Sequence, residues 1–437
     1  MKPRSIVAVV GIAVGLTMTG ATGAFAGSSQ IAPGTVTRPV LSAAEASRFT
    51  PTAYLGSSGA YSAPTVDPWH PGDVPVARVR PDFVVGPAVG VDQLAGAPRA
   101  VGADRVTHTS VQAAVNAAVL AGGTARRYIK ILSGTYTGTV FIPAASPPLT
   151  IYGAGRPGDV RIEFSLDATV SPATWAQQVN PSGQYVPGDP AWDMYNSCAT
   201  KTTATAALCA TVVWAQSTDL RLLDLTITNT LLDTVDKGTH QALALRTDAD
   251  RTQLDEVRLI GRQDTFYANA NDPTRIARVS VRDSYIEGDT DFVFGRANAV
   301  FEHTEFHLVS TRKPANGVIF APNTAPTYPY GFLVLRSRLT ADSGYLAAPT
   351  GHFGRAWDQG ASATGYIPGT TANGQLVIRD SVIGAGFDTV APWSAAATTS
   401  RPYAGNIAPD RSLDDVNHNR LWEYRNAGPG VVGVTTG

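Results

Sequence analysis

From about Tyr128 onward, apolar residues fall in short runs of three to six, rich in Val, Ile, Leu and Thr, each ending in a turn. Such runs fall within 128–132, 149–152, 220–228, 254–260, 277–286, 299–308, 332–339 and 375–383. That length and composition predict strands, and long helical periodicity is missing. Several runs share a short pattern: Asp224-Leu225-Thr226-Ile227, Asp283-Ser284-Tyr285-Ile286, His303-Thr304-Glu305-Phe306, Arg336-Ser337-Arg338-Leu339 and Arg379-Asp380-Ser381-Val382. Glu256-Val257-Arg258-Leu259 fits more loosely. The runs end at 227, 259, 286, 306, 339 and 382, so the gaps are 32, 27, 20, 33 and 43. A repeat of about 20 to 30 residues with variable insertions is the mark of a solenoid. Strand-sized repeats without intervening helices predict a parallel β-helix. A β-sandwich would more often show Asn-Gly hairpin turns between the runs.

One segment breaks the pattern near the start. Residues 109–119 place apolar side chains at helical spacing, and Thr109 or Ser110 can cap them, which predicts one short N-terminal helix. Residues 27–105 are rich in Ala, Gly, Ser and Pro and read as a leader or a wrapping segment, with Trp69 and Phe83 arguing against pure disorder. The β domain is expected over 106–437. Residues 1–26 read as an export signal: Lys2 and Arg4, an apolar stretch from Ile6 to Met18, then Ala24-Phe25-Ala26 as a cleavage pattern. The expected product is a secreted, extracellular protein that is free of the membrane after processing, with a monomer as the default.

Composition narrows the function. With 437 residues, 43% hydrophobic and only 16% charged, the chain can bury one large β core. The formal net charge is −1, or −3 without Lys2 and Arg4, and no basic block occurs, which argues against nucleic acid as a partner. The two cysteines, Cys198 and Cys209, suggest one disulfide in an exported chain.

The candidate chemistry lies in two aspartates at one offset. Asp264 follows Leu259 by five residues, and Asp291 follows Ile286 by five. If those strands stack in register, about 4.8 Å apart, the carboxylates stack too. Gln241 and Gln263 are 22 residues apart, again about one coil. Paired carboxylates suit acid–base and nucleophilic work, because their surroundings can drive their pKa values apart. Two carboxylates alone would also suit glycoside hydrolysis. Two amide donors favour acyl transfer, where an oxyanion forms. Neither Gly-x-Ser-x-Gly nor His-Glu-x-x-His is present. Asp289 reads as a solvent-facing turn residue, and His303 and His307 as surface residues.

The segments Gln241-Ala242-Leu243-Ala244-Leu245-Arg246, Gln263-Asp264-Thr265, Asp291-Phe292-Val293-Phe294-Gly295 and Gly354-Arg355-Ala356-Trp357 resemble, in order, the signatures of the pectin methylesterases (pectinesterases). Ser133-Gly134-Thr135-Tyr136 and Trp422-Glu423-Tyr424-Arg425-Asn426-Ala427-Gly428-Pro429-Gly430 resemble the first and last segments of that family. The resemblance implies an all-β fold, a right-handed single-stranded parallel β-helix, and hydrolysis of methyl esters of polygalacturonate, with methylated pectin as partner and no cofactor or metal. It implies Asp291 as nucleophile, Asp264 as acid and then base, Gln263 and Gln241 as oxyanion donors, and Arg355 as the cation that orients Asp291. Trp357 would line a sugar subsite, with Phe266 and Tyr267 between cleft and core. Gly138 replaces a usual acidic residue, Ala356 a frequent Pro, and Arg296 and Asp289 are less usual. These departures, the long leader and the Cys198–Cys209 loop resemble a bacterial long-form branch. Some members of that branch have lost the first aspartate and are linked to acyl thioester hydrolysis, whereas this chain keeps Asp264. An esterase or thioesterase for another acyl substrate, and a non-catalytic polysaccharide-binding β-helix, are the alternatives.

Overall fold

Residues 34–87, 105–203, 206–405 and 408–431 are described by a computed structural model; the expected export signal at 1–26 lies outside them. Among the described residues, three parallel sheets of ten, eight and seven strands wind as a right-handed β-helix. Each coil contributes one strand to each sheet, so sequence neighbours in a sheet are one coil apart.

Aliphatic and aromatic side chains stack inward from every sheet. In the eight-stranded sheet Ile162, Ile227, Leu259, Ile286, Phe306, Leu339 and Ile383 are direct register partners. In the ten-stranded sheet Ile151, Leu222, Leu254, Val281, Phe301, Val334 and Ile378 do the same. All are buried in one continuous core. The repeat read from the sequence therefore follows the register, except at its last member. Leu339 pairs with Ile383, not with Val382, so the pattern there begins at Asp380.

The first residue of each repeated pattern has a physical task. Asp224, Glu256, Asp283, His303, Arg336, Asp380 and Arg425 all have φ between 48° and 54°. A single left-handed residue turns the chain from one sheet to the next, and a short polar side chain tolerates it best. The Ser that often follows closes the turn. The hydroxyls of Ser284, Ser337 and Ser381 donate to the carbonyls of Arg282, Leu335 and Arg379. They also accept the N–H groups of Val257, Thr304 and Ser337 in the preceding coils.

The predicted helix is Val111–Ala121, with the Ser110 side chain accepting from Ala113 N–H. More helix is present than the single element expected. Pro172–Val179, Trp192–Ala199 and Ala206–Cys209 lie in an insertion before the strand Thr211–Ala215, and Ser343–Ala347 follows a later strand. Their brevity hides them from periodicity arguments. The insertion packs Trp175, Tyr185 and Tyr195 against Phe141 and Trp214 of the seven-stranded sheet in one aromatic cluster, and Cys198 and Cys209 form a disulfide within it. Among the described residues, no helix is long and apolar enough to cross a membrane.

Residues 38–55 cover the outer face of the ten-stranded sheet. Val300, Leu333, Val377 and Trp422 are register partners that point away from the β-helix core, and Leu41, Phe49, Tyr54 and Leu55 pack on them. The strand Phe83–Val85 then adds to the end of that sheet. The covering segment is held in part by a buried ion pair. Arg38 Nε and Nη2 donate to Glu423 at 2.6 and 2.9 Å, and both side chains are 2% exposed. Arg278, fully buried, donates to Asp250 and Asp67.

Removing one partner of such a pair leaves a buried charge. Arg38→Met is expected to destabilise the fold by about 3 kcal/mol, read from urea unfolding. Arg38→Met combined with Glu423→Gln should recover part of that loss. A double variant no more stable than Arg38→Met would show that packing, not charge, holds the segment.

Candidate active site

The seven-stranded sheet carries the candidate residues on its outer face. Its inner ladder runs Val213, Leu245, Phe266, Val293, Phe320, Gly354. The adjacent outer ladder runs Phe141, Trp214, Arg246, Tyr267, Phe294, Ala321. A third set of rungs joins Gln241, Gln263, Thr290, Val318 and His352.

Between the third and inner rungs, the chain advances two positions from Val318 to Phe320 and from His352 to Gly354. It advances three from Gln263 to Phe266 and from Thr290 to Val293. Each of those two strands therefore carries one extra residue, a β-bulge. Asp264 and Asp291 lie in these bulges, with φ of 66° and 47°. The bulge interrupts alternation and turns both carboxylates out of the strand on neighbouring coils. Aspartate is among the side chains that accept this backbone region, at a cost of order 1 kcal/mol each.

The two carboxylates meet different surroundings. Arg355 grips Asp291 through Nε and Nη2 at 2.8 and 2.7 Å. Arg355 comes from two coils further along. One coil, the one that carries Ala321, lies between it and Asp291. Asp264 receives only a neutral donor, Gln241 Nε2, at 2.8 Å. Burial, and secondly the negative charge of Asp291, push the Asp264 carboxyl well above its ordinary pKa, while Gln241 and Arg355 pull less strongly the other way. One carboxylate is paired with a fixed cation, and the other favours its proton. That combination is the chemistry a nucleophile and a general acid need in one place.

Gln263 is oriented by its neighbours. Its Oε1 accepts the His240 N–H at 3.0 Å, so its Nε2 hydrogens are left for another acceptor. His240 is clasped in turn: Nδ1 lies 2.7 Å from Asp167 and Nε2 3.0 Å from Asp236. Arg262 donates to Asp233 at 2.8 Å, and Arg312 Nη2 donates to the Gly238 carbonyl at 3.0 Å. His240 escaped the sequence reading although it directly precedes Gln241; nothing local marks a residue whose backbone N–H is the working group.

Beside the carboxylates lies an aromatic floor. Tyr267 and Phe294 stack with centroids 4.2 Å apart and planes at 5°, and Trp357 leans on both at 6.1 and 5.6 Å. Trp357 Nε1 donates to Thr398 Oγ1. Phe294 was also missed, yet the signal was present: it follows Asp291 by three residues, as Tyr267 follows Asp264. The strand ends at Gly295, φ 125°, where a Cβ would stand 2.0 Å from the Ala268 carbonyl oxygen.

Two expectations are corrected. Phe266 does not line the cleft; it is fully buried in the inner ladder, because strand alternation sends it opposite to Tyr267. Asp289 does not face solvent; it is fully buried, 3.7 Å from Arg312 Nε, and burial raises its pKa. Of the surface histidines, His303 is exposed, whereas His307 is half-buried with Nδ1 2.9 Å from Thr340 Oγ1.

The family model Pectinesterase matches residues 192–373. The chain is 55% identical over 401 residues to Pectinesterase B of Dickeya dadantii (strain 3937), covering 90% of each. It is 43% identical to the putative acyl-CoA thioester hydrolase YbhC of Escherichia coli (strain K12), covering 92% of this chain and 91% of that protein. The solved structure of rice weevil pectin methyl esterase superposes with a TM-score of 0.78 at 37% identity, covering 92% of this chain and all of that one.

The raised Asp264 pKa has a consequence for stability. A carboxyl raised in the folded state contributes its full share below the unfolded value, about 3.9, and loses it as pH climbs through the folded value. Asp264→Asn abolishes that loss and retains a side chain suited to left-handed backbone. Its stability advantage over the parent should be small at pH 4 and grow towards pH 7, by about 1.4 kcal/mol per unit of pKa elevation. Thermal unfolding across that range tests this, and an advantage independent of pH would contradict the assignment.

Proposed function

The chain belongs to the pectinesterase family of carboxylic ester hydrolases, and from that premise we propose that it de-esterifies methylated polygalacturonate through Asp291 and Asp264. The single observation that carries the mechanism is the unequal pair: Asp291 in the fork of Arg355, and Asp264 buried beside it with a raised pKa.

The Asp291 carboxylate attacks the ester carbonyl carbon. A C–O bond forms, and the carbonyl electron pair moves to oxygen. Gln263, its Oε1 pinned by His240, offers Nε2–H to that oxyanion. Gln241, which holds Asp264 in the free enzyme, shares the same task in this reading. Collapse expels the methoxide, which takes the Asp264 proton and departs as methanol. The sugar acid is now an anhydride of Asp291. Asp264, deprotonated, takes a proton from water as the water attacks the acyl carbon. Cleavage returns Asp291 as carboxylate, frees the uronic acid, and restores the Asp264 proton. Arg355 offsets the charge on Asp291 at both ends of the cycle.

Trp357, backed by the buried Tyr267 and Phe294, provides an apolar face suited to a sugar ring. No step requires a metal or cofactor. Export guided by residues 1–26 would bring the protein to a polysaccharide outside the cell; N-terminal sequencing of secreted protein, with cleavage anywhere but near Ala26, would refute that part.

A second reading has one observation in its favour, the similarity to a putative acyl-CoA thioester hydrolase. Retention of Asp264 supports the methyl ester over the thioester, because alkoxide needs a proton to leave and thiolate does not. The assay therefore compares methylated homogalacturonan with an acyl-CoA. Methanol release should continue in chelator and exceed thioester hydrolysis. Asp291→Ala and Asp264→Asn should each lower it by at least about 100-fold, while Phe266→Leu, being in the core, should alter stability more than turnover. Near-normal methanol release by Asp291→Ala would end the mechanism.

A further inference from the structure

Arg296 is a cation of this cleft that the ester chemistry leaves unused. It follows Phe294 by two residues, directly after the strand Thr290–Gly295. Its guanidinium is tied to the end of the aromatic floor by uncharged groups. Nη1 donates to the Pro273 carbonyl at 3.1 Å, and Nη2 donates to Gln359 Oε1. Gln359 is itself part of the floor: its N–H donates to the Trp357 carbonyl at 2.8 Å, and its side chain hydrogen-bonds Tyr267. Asn323 Nδ2 also donates to Gln359 Oε1. Burial pushes Tyr267 up to about 12, and among the opposing effects is the positive charge of Arg296, which places that charge near the ring.

Other arginines on this face already have carboxylates. Arg246 Nε lies 2.8 Å from Asp248, Arg401 Nη2 3.0 Å from Asp358, and Arg355 2.7 Å from Asp291. Among the described residues, no carboxylate lies within ion-pair distance of Arg296. It is half-buried, held on one side by neutral oxygens, with the rest of its donor fork uncommitted. A guanidinium in that state is matched by a carboxylate, which it can take bidentately.

We propose that Arg296 is a specificity-determining residue that binds the free carboxylate of a de-esterified uronate unit in the same polymer. Asp291 and Arg296 are five residues apart, at most about 16 Å at 3.3 Å per strand residue and shorter by the bulge at Asp291. The carboxylate it holds therefore belongs to a different ring from the ester under attack. Trp357, half-buried and backed by the buried Tyr267 and Phe294, lies beside it as a surface for an intervening ring. The inference rests on the polyuronate reading above and adds to it that the enzyme reads charge already exposed on its substrate.

The test measures methanol release from two homogalacturonan samples, one nearly fully methylated and one about half de-esterified. With Arg296→Gln, KM on the half de-esterified sample should rise about tenfold, equivalent to ~1.4 kcal/mol. KM on the fully methylated sample should stay within about twofold, and kcat should be unchanged on both. Arg296→Lys keeps the charge and loses the fork, so it should give a smaller rise with the same selectivity; it carries the test if the Gln variant fails to fold. Equal changes on the two samples, or no change on either, would overturn the role of Arg296 while leaving the esterase reading intact. No methanol from the parent enzyme on either sample would sink the esterase reading itself.

Discussion

Register between coils is the constraint on which everything else depends. Strands about 4.8 Å apart put every side chain beside its counterpart one coil away. A one-residue slip would send a whole rung to the wrong face. The inner ladders of Ile, Leu, Val and Phe make such a slip expensive, because each slip exposes an apolar rung and buries polar ones. The left-handed turn residues reinforce the same register from outside the core. Their Ser hydroxyls bond to backbone both within the coil and in the coil before. With register fixed in this way, a residue's position along the axis is decided by which coil it belongs to.

The functional residues use that order and break it in one respect. Gln241, Gln263 and Thr290 share a rung, as a regular sheet requires. Asp264 and Asp291 are added residues between rungs, and their left-handed backbone departs from the strand geometry around them. Rigid ladders on both sides hold the bulges in place. Strain of this kind persists where the surrounding structure over-determines it. Two neighbouring bulges in register then present two carboxylates at one level of the surface, a pairing that plain strands of the same sequence length would not give.

What the sequence makes legible follows from the same distinction. Repeats of strand length, the common offset of Asp264 and Asp291, and the coil-length spacing of Gln241 and Gln263 are all periodic, so they can be read without coordinates. Phe266 and Tyr267 could not be told apart from sequence, because it is the strand alternation after the bulge at Asp264 that sends Phe266 inward and Tyr267 outward. Asp289 was misplaced because a turn-forming residue ordinarily faces water, whereas here Arg312, from the next coil, closes over it. The last repeat was misread by one residue where Arg379 and Asp380 both fit the first position. Arg38 with Glu423, and His240 with Asp167, join residues 385 and 73 positions apart. No local pattern marks such pairs. The helices at Pro172–Val179 and Trp192–Ala199 were hidden for another reason: eight residues carry too few turns for a period to show.

The unequal treatment of the two aspartates is itself a product of the stacking order. The coil of Asp264 lies between those of Gln241 and Asp291, so its immediate neighbours are an amide and a like charge. The coil of Asp291 is nearer to that of Arg355, with one coil between. Spanning that gap crosses about 10 Å of axis, which the long arginine side chain does in gripping Asp291. The cation therefore reaches the nearer aspartate through two atoms and influences the farther one only at a distance. Asp291 thus lies in the fork of Arg355, whereas the Asp264 carboxyl is raised first by burial and then by the negative charge of Asp291, and the order of the coils sets that inequality.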